Sequence, residues 1–475
     1  MFDVLIIGCG ITGAATAFEL SKYRLKIGIL EKENDVADGT TKANSAILHA
    51  GYDPAPGSLM AKLNVRGVAL AKELCAKLDV PYKQIGAMVT GFGGGDDAAL
   101  QELYRRGVAN GVRGVELLTG DQARALEPSL SPDATLVLNA PSAAICSPWE
   151  YCLALAETAV RNGAELHLDA AVTGLAQTAD GWKVSTSQGG FEARYVVNAA
   201  GVSAQAVHEL AAPKTFTIKP SRGQYFLLDK SEGGRVGHVV FQCPNAGGKG
   251  VLVAPTVHGN LIVGPNSEPV PDDDTATTGD GLAYVRATAQ KSVPTINFRE
   301  SIRNFAGVRA AADTGDFVLE EAAPHFIDLA GICSPGLSAA PAIAEYAAEL
   351  LGRAGLSLEK KDDFICERRR VRFKDLSTAE KAALVKSDPA YGRVVCRCET
   401  VTEGEILAAL KTPIPPRSVD GVKRRCNPGM GRCQGGFCGP RVVELLSREL
   451  GVAPDHIVQD KANTWLLTGQ TKEGN

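Results

Sequence analysis

The N-terminal stretch DVLIIGCGITG, residues 3–13, decides the fold of this chain. It joins a short run of β-branched residues to three glycines spaced as GxGxxG, and residues 14–22 then have the composition of a helix that packs on a sheet. A second strand candidate, residues 26–30 with the sequence KIGIL, ends at Glu31. This order of strand, glycine turn, helix, strand and acidic residue predicts the first unit of a dinucleotide-binding domain.

Four residues of this unit have distinct physical tasks. Gly8 permits the tight turn, Gly10 lets the backbone approach a pyrophosphate, and Gly13 lets the helix pack on the strand. Glu31 accepts a hydrogen bond from a ribose hydroxyl. Glycine-rich turns are common in α/β proteins, so the alternative is a turn that only packs, but the two strands and the acid favour a cofactor site.

Composition sets the class of protein. The 475 residues leave room for two or three domains, and 45% apolar and 22% charged residues are typical of a globular protein. A net charge of −4 gives no case for nucleic-acid binding.

No basic segment or cleavage site accompanies the first apolar run, and no stretch is long and apolar enough for a membrane span. We therefore predict a cytoplasmic protein that meets a membrane only peripherally, through a partner.

Further segments resemble the D-amino-acid-oxidase-like family of FAD-dependent oxidoreductases. They are residues 40–52 (TTKANSAILHAGY), 193–201, 220–225 and 330–341, and the resemblance extends over about residues 1–360. It implies that the cofactor is FAD. The implied cofactor-binding residues are Gly8, Gly10, Gly13, Glu31, Thr40, Thr41, Asn44, Ser45, Val172, Ala200, Gly201, Gly307, Gly336, Leu337 and Ser338. The last segment also precedes a predicted helix over 339–351, whose N-terminal dipole suits the anionic edge of a reduced flavin.

Cysteines cluster near the C-terminus. Five of the twelve are Cys396, Cys398, Cys426, Cys433 and Cys438. A CxC pair and a CxxxxC pair can together hold a [2Fe–2S] cluster or a structural zinc. Their surroundings resemble the bacterioferritin-associated-ferredoxin-like [2Fe–2S] domain, which is also fused to large subunits of anaerobic glycerol-3-phosphate dehydrogenases. The resemblance implies a cluster held by Cys396, Cys398, Cys433 and Cys438, with Cys426 as a spare thiol.

The fold class follows from these segments together. We predict an α/β fold with a Rossmann-like FAD-binding domain, an inserted, mainly antiparallel α+β substrate domain, and a small helical [2Fe–2S] domain at the C-terminus. The predicted boundaries are 1–80, 141–213 and 306–362 for the FAD-binding domain, 81–140 and 214–305 for the substrate domain, 363–390 for a linker, 391–450 for the [2Fe–2S] domain and 451–475 for a tail. The basic run ERRR at 367–370 is interpreted as solvated.

Oxidation by a flavin requires a base and a clamp for an anionic substrate. Arg309 matches the arginine that in the resembled family projects from a sheet toward the flavin, and Arg222, with Tyr225 beside it, is the second candidate clamp. His49 is the predicted base, because it lies in the flavin segment and histidine titrates near neutrality. The alternatives are surface ion pairs for the arginines and a packing role for His49. His258, in a predicted hairpin turn, is expected to be structural.

Two resemblances disagree about the substrate. Residues 49–63 resemble L-2-hydroxyglutarate oxidases, whereas the iron–sulfur domain resembles that of the glycerol-3-phosphate enzymes. We rank glycerol-3-phosphate first, because the fused domain indicates how electrons leave. A 2-hydroxy acid such as L-2-hydroxyglutarate ranks second, and an amino or imino acid third. A non-enzymatic electron-transfer subunit with a vestigial flavin site is the alternative from another class.

The C-terminal region predicts an electron exit other than oxygen. Residues 391–441 contain nine Lys/Arg and four Asp/Glu, a local charge of +5 that is expected to dock an acidic partner. The partner is predicted to be a second flavoprotein or an iron–sulfur acceptor subunit in a hetero-oligomer. On this view, removal of residues 391–475 leaves reduction of the flavin by substrate intact.

Overall fold

The computed structural model describes residues 1–244, 250–469 and 472. The strands are β1 (Phe2–Ile7), β2 (Ile27–Leu30), β3 (Ile47–Leu48), β4 (Tyr82–Gln84), β5 (Ala87–Gly91), β6 (Glu116–Thr119), β7 (Leu136–Ala140), β8 (Ala144–Cys146), β9 (Glu165–His167), β10 (Val172–Thr178), β11 (Gly181–Thr186), β12 (Gly189–Asn198), β13 (Ile218–Leu228), β14 (Val239–Gln242), β15 (Leu252–Pro255), β16 (Leu261–Gly264), β17 (Glu268–Pro269), β18 (Ser301–Ala312), β19 (Val318–Ala323), β20 (Phe326–Ala330), β21 (Val394–Cys396) and β22 (Val401–Thr402). The α-helices are α1 (Ile11–Leu20), α2 (Leu59–Lys77), α3 (Gly95–Ala109), α4 (Gly120–Leu126), α5 (Pro148–Arg161), α6 (Ala204–His208), α7 (Gly279–Ser292), α8 (Gly336–Arg353), α9 (Thr378–Ser387), α10 (Glu403–Ala409), α11 (Val419–Cys426) and α12 (Gly439–Leu450).

The first sheet has the predicted dinucleotide-binding topology. Its strand order is β10-β11-β12-β1-β2-β9, with β20 also beside β12 and β19 beside β20. Strand β1 pairs in parallel with both β2 and β12, and its apolar residues are buried on both faces, as is usual in parallel sheets. Helix α1 packs between α5 and α8 over this sheet. The carboxyl ends of β1 and β2 therefore open at one edge, where the glycine turn lies.

The second sheet is mainly antiparallel, which confirms the predicted fold class. Its strand order is β17-β13-β16-β15-β14-β5-β7-β6, with β18 beside β13. Strand β18 pairs with β13 along its whole length, from Ile218 opposite Ala312 to Leu228 opposite Ser301. The boundary predicted between residues 305 and 306 falls inside this strand, because a single long strand crosses from the second sheet toward the flavin segment.

The C-terminal domain consists of α10, α11, α12 and the β21–β22 hairpin, and it is docked on the FAD-binding domain by buried ion pairs. The Arg425 side chain is 1% exposed and donates to both carboxylate oxygens of Asp35, at 2.8 Å each. Arg424 donates to Asp35 at 2.9 Å and to Asp38 at 3.1 Å. The prediction that the basic cluster forms a docking surface for a partner is therefore wrong for these two arginines, because partners within the same chain already neutralise them.

The basic run before this domain is also paired. Arg368, predicted to be solvated, is buried and donates to Glu157 at 2.8 Å, and Arg370 donates to Glu150 at 3.0 Å. Both carboxylates lie on α5 two turns apart, so they share one helix face. The solvated interpretation is wrong for Arg368 and Arg370, because this face supplies buried carboxylates that need cations, whereas Glu367 and Arg369 are exposed. No helix among the described residues is both long enough and apolar enough to cross a bilayer.

Candidate active site and cysteine site

A cavity of about 1560 Å³ lies at the carboxyl ends of β1 and β2, between the two sheets. Parallel α/β folds bind ligands at such an edge. The cavity walls come from the glycine turn, the segment after β2, the start of α8, the second sheet and the C-terminal domain.

The glycine turn has the geometry that a dinucleotide requires. Gly8 has a φ of +97°, and a Cβ there would lie 2.6 Å from the Ala199 carbonyl oxygen. A Cβ on Gly13 would lie 2.0 Å from the Gly8 carbonyl oxygen, so Gly13 serves the packing of helix on turn and does not line the cavity. Gly8 and Gly10 do line it. Only glycine fits at positions 8 and 13, where the backbone segments approach closely, and the backbone of the turn stays open to a ligand.

Glu31 lies at the end of β2 and lines the same cavity. Its carboxylate accepts from the Cys9 N–H at 2.7 Å and from the Glu33 N–H at 3.0 Å. Burial raises its pKa, and the two backbone N–H groups oppose that effect. These bonds hold the carboxylate at the cavity edge, where the remaining acceptor positions can take a ribose hydroxyl.

The predicted flavin segment is held against β18. Thr40, Thr41, Asn44 and Ser45 line the cavity. The Thr40 hydroxyl donates to the Val308 carbonyl at 2.7 Å, and the Asn44 amide donates to the carbonyls of Thr40 and Thr41 at 3.1 and 2.8 Å. The segment is thus fixed by its own polar side chains and offers backbone to a ligand.

Most other predicted cofactor residues lie on the same cavity. Those that line it are Val172, Ala200, Gly201, Gly307, Gly336 and Leu337. A Cβ on Gly307 would lie 1.9 Å from the Ala43 carbonyl oxygen, so only glycine allows β18 to approach the flavin segment. Ser338 does not line the cavity: it is fully buried, and its hydroxyl accepts from the His49 N–H at 2.7 Å. Helix α8 begins at Gly336, three residues before the predicted start, so Ser338 lies inside its first turn.

His49 and Arg309 both line the cavity. His49 Nε2 lies 3.3 Å from the Ser334 hydroxyl oxygen, and its carbonyl accepts from the Asn64 amide at 3.0 Å. Arg309 Nη2 donates to the Asn266 carbonyl at 3.2 Å, whereas Nη1 is buried without a hydrogen-bond partner among the described residues. A buried donor without an acceptor is costly, so the Arg309 guanidinium is suited to bind an anion that enters the cavity.

Arg222 lies on the other face of the sheet and is not brought to the cavity. Side chains alternate along β13, so Ser221 and Tyr225 face the cavity and Arg222 faces away. Its guanidinium is paired with Glu268 at 2.9 Å and Asp274 at 2.7 Å. The predicted role of Arg222 as a second clamp is therefore not supported. Arg222 is an ion-pair residue, which was the alternative.

Tyr225 is on the cavity face of the same strand. Its hydroxyl lies 3.2 Å from the Ser45 hydroxyl, and its ring stacks on Phe305 with centroids 4.8 Å apart. The stacking holds the ring in place, and the hydroxyl is positioned beside the flavin segment.

Sequence reasoning missed one group of cavity residues. His258, expected to be structural, lines the cavity together with Trp149, and the two rings stack 6.0 Å apart. His258 Nε2 lies 3.4 Å from a Glu150 carboxylate oxygen, while burial lowers the pKa of His258. No local pattern links α5 to the turn after β15, so the sequence carries no signal for this pair.

The four predicted cluster ligands form two thiol pairs. Cys398 Sγ lies 3.8 Å from Cys433 Sγ, and Cys396 shares a hydrogen bond with Cys438. That bond, together with N–H groups of the surrounding loop, lowers the pKa of Cys396 to about 6, although burial opposes the shift. Among the described residues, no three His, Cys, Asp or Glu side chains surround a point suited to a single metal ion. Two adjacent thiol pairs are the donor set of a [2Fe–2S] cluster.

The cysteine loops are tight, and Cys426 lies apart from them. A Cβ on Gly431 would lie 2.2 Å from the Cys398 Cβ, so the loop closes only with glycine there. Cys426 is buried in the core of the domain, its thiol donates to the Val422 carbonyl at 3.5 Å, and burial raises its pKa to about 12. A thiol in that state is a packing residue, in keeping with its predicted spare role.

Known families match both parts of the chain. The FAD dependent oxidoreductase family matches residues 3–350, and the BFD-like [2Fe-2S] binding domain matches residues 394–448. A glycerol 3-phosphate dehydrogenase of Caloramator mitchellensis is 46% identical over 476 residues, which cover 99% of both chains. An L-2-hydroxyglutarate dehydrogenase of Escherichia coli K12 is 32% identical over 273 residues, covering 56% of this chain and 64% of the relative.

A solved structure agrees with the fold. The dithionite-reduced L-alpha-glycerophosphate oxidase from Mycoplasma pneumoniae, with FAD bound, superposes with a TM-score of 0.73 at 32% identity. The match covers 77% of this chain and 98% of that one. The part of the present chain beyond that oxidase includes the cysteine site.

Proposed function

The chain belongs to the family of FAD-dependent oxidoreductases and carries a BFD-like [2Fe–2S] domain, and we propose that it is a glycerol-3-phosphate dehydrogenase. The observation that carries the proposal is the buried Arg309 Nη1, which has no acceptor among the described residues and lies on the cofactor cavity with His49. A cation fixed in this way selects a small anionic substrate. The full-length similarity to a glycerol 3-phosphate dehydrogenase supports the choice of substrate.

The reaction converts the secondary hydroxyl of glycerol-3-phosphate to a ketone, with loss of a hydride from carbon and a proton from oxygen. When bound, FAD supplies the hydride acceptor and the cluster supplies a one-electron carrier. We assign His49 as the base that accepts this proton, because its imidazole lines the cavity. Its backbone is anchored by hydrogen bonds with Ser338 and Asn64. The ring itself is restrained by the Ser334 hydroxyl, 3.3 Å from Nε2, and by the Phe241 ring, whose centroid lies 5.7 Å away.

We assign Arg309 to binding the phosphate group of the substrate. Its guanidinium is oriented by the Asn266 carbonyl on one side, which leaves the Nη1 side for two-point binding of anionic oxygens. Tyr225 is assigned a positioning role through its hydroxyl beside Ser45. These assignments use side chains that β13 and β18 place on one face of the second sheet.

We further propose that electrons leave through the cysteine site to a separate acceptor protein rather than to oxygen. Cys398 is exposed, and Phe437, between the ligands Cys433 and Cys438, is 89% exposed. An exposed aromatic side chain next to a redox site suits a docking contact. The partner is proposed to be a flavoprotein or iron–sulfur subunit in a cytoplasmic hetero-oligomer, and it would also provide any peripheral contact with the membrane.

A 2-hydroxy acid is the second candidate substrate. The Arg309 fork binds a carboxylate as well as a phosphate, and an L-2-hydroxyglutarate dehydrogenase is among the relatives. The two candidates differ in the shape and charge of the anion and not in the chemistry at the carbon that is oxidised.

Anaerobic titration of the holoenzyme distinguishes the candidates. Glycerol-3-phosphate, L-2-hydroxyglutarate and a panel of amino acids are added separately, and bleaching of the flavin absorption is followed. We expect glycerol-3-phosphate to bleach the flavin at the lowest concentration. Bleaching by L-2-hydroxyglutarate at a lower concentration would select the second candidate, and no bleaching by any compound would favour a vestigial flavin site.

Reoxidation tests the electron exit separately. The substrate-reduced enzyme is mixed with oxygen or with a one-electron artificial acceptor, and recovery of the flavin absorption is timed. We expect slow recovery with oxygen and fast recovery with the acceptor. Fast recovery with oxygen at a rate equal to that of the acceptor would make the protein an oxidase.

A further inference from the structure

The C-terminal segment after the [2Fe–2S] domain forms part of the cofactor cavity. Asp460, Lys461 and Thr464 line the cavity, although both family matches end before residue 449. We call residues 458–465 the C-terminal strap. It lies in the region, residues 451–475, that the sequence analysis assigned to a tail.

The strap is anchored beside the predicted ribose acceptor. Lys461 Nζ pairs with a Glu33 carboxylate oxygen at 2.9 Å, and the Asn34 amide donates to the Asp460 carbonyl at 2.8 Å. Glu33 is two residues after Glu31, whose carboxylate accepts from the Glu33 N–H. The strap therefore covers the end of the cavity that the glycine turn and Glu31 define.

A charge network joins the strap to two other walls. Asp460 accepts from Arg424 of α11 at 2.7 Å and also from Lys42, which belongs to the predicted flavin segment. Arg424 and Lys42 both contact Asp38 as well. Burial acts to raise the pKa of Asp460, but the cations Arg424 and Lys42 lower it overall. The ion pairs thus tie the strap, the [2Fe–2S] domain and the flavin segment to one another.

The strap also has a defined backbone structure. Val458 forms bridges to Ser418 and to Trp465. The Asp420 N–H donates to the Gln459 carbonyl at 2.8 Å, and the Gln459 N–H donates to the Thr464 carbonyl at 2.7 Å. These bonds make the strap a short closed loop fastened to the start of α11.

We propose that the C-terminal strap is part of the FAD-binding site, where it closes the adenosine end and sets the rate of FAD release. Asp460, Lys461 and Thr464 line the cavity on the side of Glu31, the predicted acceptor of the adenosine ribose. Release requires the strap to move, which breaks the Asp460 and Lys461 ion pairs. Salt weakens such pairs, so release is expected to accelerate at high ionic strength. This role is independent of which substrate the enzyme oxidises.

The test is FAD release from full-length holoenzyme without substrate. Asp460→Ala removes the strap's acceptor for Arg424 and Lys42 and leaves Asp38 to both cations. Lys461→Ala removes the contact with Glu33. Asp455→Ala is the matched control, because Asp455 pairs with the neighbouring His456. The rise of free-flavin fluorescence after dilution gives the release rate. We expect release about tenfold faster in the first two variants, which corresponds to about 1.4 kcal/mol, and no change in the control.

Two further readouts keep the test decisive. Unchanged cluster absorption shows that the [2Fe–2S] domain is still folded in each variant. Hydrogen exchange in the wild type measures the strap directly, and FAD is expected to slow exchange across residues 458–465. Equal release rates in Lys461→Ala and Asp455→Ala, or strap exchange that does not respond to FAD, would overturn the proposal. Because substrate is absent, either result leaves the proposed reaction untouched.

Discussion

The cavity for FAD and the cysteine site for the cluster differ in what covers them. The cavity is walled by both sheets, α8 and the C-terminal domain, and Arg309, the proposed clamp, has a buried nitrogen. At the cysteine site, Cys398 is exposed and Phe437 is 89% exposed. Hydride transfer benefits from exclusion of water, whereas transfer of an electron to another protein requires a carrier near the surface. The difference in exposure is the one that the proposed hydride transfer and electron exit would require.

The C-terminal domain serves both sites through its two faces. One face carries Arg424 and Arg425 into buried ion pairs with Asp35 and Asp38, and the other presents Phe437. The domain is therefore both a wall of the flavin cavity and the carrier of the cluster. We therefore expect the two redox sites to depend structurally on each other.

Removal of residues 391–475 is the most severe test of that dependence. The sequence alone suggested that the flavin site would survive it, but the truncation leaves the Asp35 and Asp38 carboxylates without their arginine partners. It also removes the cavity wall that Arg424, Asp460 and Lys461 form, so a bound cofactor would be open to water on that side. We expect the truncated protein to lose most of its FAD, measured as flavin per polypeptide. Stoichiometric FAD in that protein would show that the two sites are independent.

Substitution of a ligand cysteine is expected to remove the cluster and to keep the C-terminal domain in place as a wall of the cavity. Cys433→Ser is expected to abolish or alter the visible absorption of the cluster and to leave FAD content unchanged, because Cys433 is outside the ion-pair network. Cys426→Ser is the control and should retain the cluster, since its thiol is buried and bonded to Val422. Loss of cluster absorption from the Cys426 variant would contradict the ligand set.

Arg309→Lys affects the enclosed site alone. Lysine keeps the charge but lacks the planar fork, and a hydrogen bond to a charged group contributes about 1.5–3 kcal/mol. We expect kcat/KM to fall at least about tenfold in steady-state assays with an artificial acceptor, with FAD affinity retained. Arg222→Lys is the control: it lies on the opposite face and should change kcat/KM far less. Equal losses in the two variants would remove Arg309 from the clamp role.

Phe437→Ser affects the exposed site and has the smallest expected effect. Truncation of a docking aromatic residue costs about 1 kcal/mol or more, which is roughly a fivefold change. We expect slower reduction of the acceptor protein in stopped-flow mixing, with flavin reduction by substrate and cluster absorption unchanged. Val108→Ser, at an exposed apolar residue of α3 outside the C-terminal domain, provides a surface control. An unchanged rate in the Phe437 variant would place the docking surface elsewhere.

Local patterns were sufficient to predict a dinucleotide site and a cysteine site for a cluster or a metal, and the resemblance to known families supplied the choice of FAD and of [2Fe–2S]. The turn from Gly8 to Gly13 and the acid Glu31 lie within one βαβ unit, and their roles follow from backbone sterics over a few residues. The family matches confirm the FAD and [2Fe–2S] predictions. The glycine turn and Glu31 were accessible from residue patterns because they depend on near neighbours in the chain.

Pairings between distant segments were decided only by the folded structure. Alternation along β13 predicts that Arg222 and Tyr225 point to opposite faces, but the sheet order determines which face meets the cavity. The partners of Arg424 and Arg425 lie nearly 400 residues earlier, and the contact of Lys461 with Glu33 spans a similar separation. A charged residue looks the same in sequence whether it ends in water or in an ion pair. Its role depends on the dielectric environment and countercharge that packing brings to it.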